Sequence, residues 1–126
     1  MKKSEKVGLN LKALLLDHDL EMLNTLTQKL IGLGMDIESS DSLHRARMLF
    51  KQDPMKIQVL ITEINFQDGD AFTLIKWMRK KNPNLIALIV TGEADLPSAI
   101  TAIKLGFADY LEKPVSMKEL QNAILK

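Results

Sequence analysis

The residues able to do chemistry in this sequence sit where apolar runs end. ALLLDHD closes on Asp17, His18 and Asp19, and VLITEINFQDGD passes from apolar to acidic at Glu63. LIALIV hands over to Thr91 and Gly92, and ADYLEKPV ends with Lys113 and Pro114 before Val115. Two carboxylates, a hydroxyl and an ammonium gathered in one place could hold a hard cation and a phosphoryl group. Glu63 raises the sharpest question, because the chain turns polar soon after it, through Asn65, Gln67, Asp68, Gly69 and Asp70. A carboxylate at the tip of a buried strand is costly unless it is partnered.

Residues this far apart meet only if the elements carrying them end at one edge. Five short apolar runs alternate with five longer segments of helical period. The first run, Leu11 to Asp17, precedes Leu20, Leu23, Leu26, Leu30 and Leu33, whose spacing of three and four predicts an amphipathic helix ending near Gly34. A weak second run, Met35 to Ser39, leads to Ser40 or Asp41 as cap of a helix with Leu43, Ala46, Leu49 and Phe50 on its apolar face. Asp53-Pro54 ends that helix, and Ile57 to Thr62 reads as the third strand. Asp70 opens a third helix with Phe72, Leu74, Ile75 and Met78 inward, closed by Asn82-Pro83.

Leu85 to Val90 is apolar at every position, as a strand covered on both faces should be. Pro97 suits the first turn of a fourth helix ending near Gly106, and Ala108 to Leu111 is the fifth strand. Ser116 and Glu119 form a capping box for a last helix from Met117 to Leu125. Alternation of this kind implies parallel pairing with right-handed crossovers. The expected fold is a doubly wound five-stranded parallel α/β sheet with helices on both faces. Ligands bind such sheets outside the carboxyl ends of the strands, where strand order reverses.

Composition narrows the function. At 126 residues the chain fits one domain, with residues 1–10 expected as a disordered lead-in and 11–126 as the folded unit. The last helix runs to the final residue, which hints at a piece of something longer. Seventeen basic and 16 acidic residues leave a net charge of +1, which argues against direct nucleic-acid binding. Cysteine is absent, excluding thiolate zinc sites and thiol catalysis. No apolar stretch approaches a membrane span, and the start lacks the apolar core of a secretory signal, so a cytoplasmic location is expected.

Four stretches, ALLLDHD, VLITEINFQDGDAF, LIALIVTGEAD and above all KLGFADYLEKPV, resemble in order and spacing the receiver domain of two-component response regulators. The resemblance runs from about Leu11 to Leu125. It implies the flavodoxin-like strand order 2-1-3-4-5. It implies that Asp17 is the first of the family's paired acids, and that Asp17, Glu63 and Asn65 would be the ligands of a magnesium ion held weakly or not at all. Thr91 would be the switch hydroxyl, Tyr110 the aromatic that follows it, and Lys113 the neutraliser of phosphoryl charge, with Pro114 after a cis peptide bond. The implied partners are a sensor histidine kinase and an output domain or protein. They would dock on the face built from Pro97 to Leu105, Ala108 to Leu111 and Met117 to Leu125. Lys104, Asp109, Glu112, Lys118 and Glu119 would give that face mixed charge, which also suits a homodimer.

Two departures matter most. The second acid of the pair is His18, and Glu63 stands where the phosphoacceptor aspartate belongs. An extra methylene moves the carboxylate by up to about 1.5 Å. In phosphoryl transfer, where positioning supplies most of the rate, about 1 Å can cost on the order of a hundredfold. Imidazole is also a poor ligand for magnesium. The same extra reach lets Glu63 approach Lys113 and Thr91 and partly imitate a phosphoryl group. Asp19, Asp68 and Asp70 read as cap and turn residues, and Thr62 points to the opposite strand face from Glu63.

The resulting expectation is a non-enzymatic atypical receiver that signals by protein contacts without aspartyl phosphorylation. Its alternatives are a receiver phosphorylated on another acid, a pure docking or dimerisation scaffold, and, more remotely, a small α/β enzyme or flavin binder. Against the last stand the DHDLE turn, which lacks a phosphate loop, and the want of a nucleophile paired with a base unless His18 turns inward.

Overall fold

The computed structural model describes residues 10–125, so nearly all of the expected lead-in lies outside the described residues. The elements run β1 (Lys12–Leu16), α1 (Leu20–Gly32), β2 (Asp36–Ser40), α2 (Leu43–Gln52), a 3-10 turn (Pro54–Lys56), β3 (Val59–Thr62), β4 (Asn65–Phe66) and β5 (Gly69–Asp70). They continue with α3 (Ala71–Lys81), β6 (Ile86–Thr91), α4 (Leu96–Lys104), β7 (Asp109–Glu112) and α5 (Met117–Leu125). The main sheet is parallel throughout, with order β2-β1-β3-β6-β7, which is 2-1-3-4-5 when only its own strands are counted.

Strand side chains alternate, and each parity has its own core. Leu14, Leu16, Leu60, Ala87 and Ile89 pack with Phe50 of α2 and Leu74, Ile75 and Met78 of α3. Ala13, Leu15, Val59, Ile61, Leu88 and Val90 pack with Leu26 and Leu30 of α1 and Leu120 and Ile124 of α5. Both faces of the central strands are therefore dry, which is why those runs are unbroken in the sequence.

Local chemistry fixes the helix starts. Asp19 accepts from Glu21 N and Met22 N, Asp70 from Thr73 N, and Asp95 from Ser98 N. The Ser116–Glu119 capping box forms reciprocally, at 2.9 and 3.1 Å. The expected cap of α2 needs correcting. Ser40 is the buried last residue of β2, and Ser42 is the N-cap, accepting from Arg45 N. Ser40 instead donates to Ser42 O at 2.8 Å.

Two features were not anticipated. The turn after β3 is a small antiparallel hairpin, β4 paired with β5, in which Asn65 faces Asp70 and Phe66 faces Gly69. From its tip, Asp68 accepts from Leu43 N at 3.1 Å and His44 N at 2.9 Å, tying the hairpin to the start of α2. At the other end of the sheet the Arg79 guanidinium of α3 donates to Leu85 O, Leu105 O and Gly106 O. Gly106 has φ +76°, and a Cβ there would meet Arg79 Nη1 at 3.1 Å. Helix α4 buries the least of the five helices: Ala102 is its one fully buried residue, while Leu96, Ile100 and Ile103 are exposed. Among the described residues no helix is long and apolar enough to cross a membrane.

Candidate functional site

Four parallel strands, β1, β3, β6 and β7, deliver the site. Glu63 N donates to Leu16 O at 2.9 Å and Lys113 N to Thr91 O at 2.8 Å, so the ladder continues just past the strand ends. That extension brings Asp17, Glu63, Thr91 and Lys113 to one edge. Asp17 and Glu63 are 1% and 6% exposed and Thr91 is fully buried, which is deep for charged and polar side chains. Each must therefore be partnered, and each is.

Lys113 makes the pairing. Its ammonium lies 2.7 Å from Asp17 Oδ2 and 3.1 Å from Glu63 Oε1. Asp17 Oδ1 accepts from Asp19 N at 2.9 Å. Glu63 Oε2 takes Ile64 N at 2.7 Å, and Oε1 also takes Gly92 N at 3.2 Å. All four carboxylate oxygens thus have protein donors. The Thr91 hydroxyl accepts from Glu93 N at 3.0 Å, and Thr62 turns away to donate to Glu63 O at 2.7 Å. The Lys113–Pro114 peptide is cis.

Opposing effects set the charge states. Burial alone would raise the Glu63 carboxyl, but the Thr91 hydroxyl, the Ile64 amide, Lys113 and the Gly92 amide together hold it below its ordinary value. Burial alone would lower Lys113, and its bonds and charge attraction to Asp17 and Glu63 reverse that, raising it. The site is two carboxylates around one ammonium.

The other expected residues fall around this centre. His18 is exposed, edge-on to Phe66 at 6.2 Å between ring centres. With Asp41, Ser42, His44, Gln67 and Asp68 it lines a cleft of 470 Å³. Asn65 is exposed on β4. Tyr110 is half-buried, its hydroxyl bonded to Ser98 Oγ and accepting from Asp95 N at 3.2 Å, so it is tied to the start of α4. The face of α4, β7 and α5 carries the anticipated Lys104, Glu112, Lys118 and Glu119 as exposed charges, beside the apolar stripe of α4. Sequence reasoning missed the amides of Ile64 and Gly92 and the Ser98 partner of Tyr110. Backbone donors leave no side-chain signal.

The residues do not fit a resident magnesium ion. That ion wants near-octahedral oxygen ligands, yet the Lys113 ammonium already bridges the two carboxylates and the third neighbour is an imidazole. What gathers is Asp17, His18 and Glu63, with one ligand atom from each within 4.8 Å of the others.

Comparison with known proteins agrees with the sheet and the edge. A family model described as the response regulator receiver domain matches residues 13–125. The chain is 25% identical over 120 residues to the photosynthetic apparatus regulatory protein RegA of Cereibacter sphaeroides, covering 95% of this chain but only 64% of that relative. It is 26% identical over 113 residues to the response regulator protein PilR of Pseudomonas aeruginosa, covering 90% of this chain and 25% of that one. A receiver domain protein from Clostridium thermocellum superposes with a TM-score of 0.85 at 28% identity over 91% of each chain. A two-component response regulator from Clostridium difficile does so with 0.83 at 27% identity, over 92% of this chain and 96% of that one. Because the match spans every strand that delivers Asp17, Glu63, Thr91 and Lys113, the chain belongs to the response regulator receiver domain family.

Proposed function

We propose that this receiver signals through protein–protein contacts without phosphorylation of an aspartate, because Glu63 stands at the phosphoacceptor position. One observation carries the reading: both oxygens of the Glu63 carboxylate are engaged, by Lys113, Ile64 N and Gly92 N. A phosphoryl group would need that ammonium, and a nucleophilic oxygen must be aimed in line at the donor. Here Lys113 and two backbone amides hold the Glu63 oxygens in another orientation. Its one negative charge stands, partially, for the nearly two of a phosphoryl group.

Other acids do not serve better as acceptors. Asp17 is held by Lys113 and Asp19 N, Asp68 caps α2, and Asp70 caps α3. The chain then acts without turnover of its own, in the cytoplasm, on a sensor kinase or an output domain or protein. The contact face is α4, β7 and α5, where Leu96 is 71% and Ile103 74% exposed. A second copy of the chain on that face is the scaffold version of the same reading.

Intact mass after incubation with magnesium and acetyl phosphate tests this, with Glu63→Asp in parallel. The expected result is an unmodified wild type. A gain of one phosphoryl mass by Glu63→Asp alone makes Glu63 the sole block. No gain by either points to His18 and the β4–β5 hairpin as further blocks, and a gain by wild type overturns the proposal.

A further inference from the structure

Charge is unevenly placed in this fold, although the whole chain is nearly neutral. Helix α2 carries Arg45, Arg47 and Lys51 and no acid, while α3 carries Lys76, Arg79, Lys80 and Lys81 and no acid. Seven of the chain's 17 basic residues thus lie on two neighbouring helices that hold none of its 16 acidic ones. Arg79 is committed to the carbonyls of Leu85, Leu105 and Gly106. Among the described residues, none of the other six is in an ion pair. Like charges crowded on one face repel one another and raise the local potential, which draws in an anion.

The seam between the two helices has an aromatic centre. Trp77 of α3 is half-buried and packs on Phe50 of α2 at 5.7 Å between ring centres. The Arg47 guanidinium lies 5.9 Å from the centre of a Trp77 ring and the Lys81 ammonium 5.2 Å. Met48, next to Arg47 in the chain, is 56% exposed, and its flexible thioether adapts to varied apolar contacts. We infer that the seam of α2 and α3 is a docking surface for a short acidic segment of a protein partner, carrying an apolar side chain among its carboxylates. This surface is separate from the face of α4, β7 and α5, and it does not depend on the state of Glu63.

Dimensions and borders choose among anions. Helices of 10 and 11 residues run about 15–17 Å. Acids close the cationic strip at one end, where Asp68 holds the start of α2 and Asp70 caps α3. Asp53 stands at the other end of α2. A nucleic-acid duplex carries a charge about every 1.7 Å of its axis and would run on into those carboxylates. A bilayer surface overruns the strip in the same way. A helical segment of about ten residues matches its length, lays carboxylates against the cations and brings one apolar side chain to Trp77.

Trp77 is the chain's one tryptophan, so its emission reports on this seam alone. The test is a fluorescence titration of the 126-residue chain with a synthetic peptide of about 12 residues, all glutamate except for leucine at every fourth position. The expected result is a saturable shift of Trp77 emission, with affinity weakened at least tenfold when sodium chloride rises from about 50 to about 500 mM. Lys51→Glu with Lys80→Glu should weaken binding on the order of tenfold or more, since like charges then face the peptide. Serine in place of the peptide's leucines should also weaken it, on the order of tenfold. Lys29→Glu, on α1 across the sheet, should leave affinity within about twofold. Duplex DNA of about 12 base pairs and phosphatidylserine vesicles should bind more weakly than the peptide. The proposal is overturned by the lack of a saturable shift, or by binding indifferent to the Lys51 and Lys80 reversals. It is overturned equally by a matching loss in Lys29→Glu, by tighter binding of the DNA or the vesicles, or by self-association of the free chain through the same lysines. Far-UV circular dichroism checks the fold of each variant, and Lys51→Gln with Lys80→Gln should weaken binding in the same direction by a smaller factor.

Discussion

Replacing Lys113 with Met probes the ion pair that organises the site. The ammonium serves two carboxylates at 2.7 and 3.1 Å, and its side chain is 14% exposed against 1% for Asp17 and 7% for Glu63. Removing it leaves two buried negative charges facing each other. Deleting one partner of a buried pair costs about 3–5 kcal/mol, which for a domain of this size is a fall in Tm on the order of 10–20 °C. Glu63→Gln is gentler, since Lys113 keeps Asp17 and the amide oxygen can still accept from one of the two backbone amides, and it should cost about 1–2 kcal/mol. The double variant should then cost less than the sum by about 1.5 kcal/mol or more, because one of the stranded charges has gone. Urea unfolding at neutral pH, followed by circular dichroism with an unchanged slope, measures all three. A Lys113→Met variant within about 1 kcal/mol of wild type, or strict additivity, would refute the account of a closed, dry ion network.

The pH profile follows from the lowered Glu63 carboxyl. A depressed acid contributes stability that is present above its ordinary value of 4.5 and is lost as pH falls through its folded value, so Glu63→Gln should flatten the acid limb of the stability curve. Lys113 is raised, so its contribution is full at neutral pH and should fade only as pH climbs through its folded value, above its ordinary 10.5. Asp68→Ala removes both amide bonds to the start of α2 and should cost about 1 kcal/mol, with faster hydrogen exchange confined to the first turn of that helix. Phe50→Ala empties a fully buried position packed on Trp77 and should cost about 3–5 kcal/mol in urea unfolding. Leu96→Glu with Ile103→Glu should leave stability within about 0.5 kcal/mol each and abolish binding of any partner or second copy in sedimentation or pull-down.

The sheet was legible because its central strands are buried on both faces, so Leu14 to Leu16 and Ala87 to Val90 have no polar interruption. Asp19, Asp70 and the Ser116–Glu119 box were legible because a cap signals within three residues of its helix. The cap of α2 was misplaced because Ser40, Asp41 and Ser42 are adjacent and equally suited. Pairing of Ser40 with the end of β1, a contact far away in sequence, excludes it. Asp68 reaches across 24 and 25 residues to its amides, and the β4–β5 hairpin is too short for periodicity to register. At the site, residue types placed Asp17, Glu63, Thr91 and Lys113 at one edge. That Lys113 closes on both acids at once depends on lengths no spacing rule contains.

Helix α4 is fastened at its two ends. Ser98 near its start is bonded to Tyr110, and Leu105 and Gly106 beyond its finish are gripped by Arg79. Between those clamps it presses on the core through one small residue, Ala102. A rod pinned at both tips and resting on a methyl group resists translation yet offers little resistance to rolling about its own axis. A partner gripping Leu96, Ile100 and Ile103 would therefore apply a torque, felt at Tyr110 on one side and at Arg79 on the other, while the sheet beneath stays still.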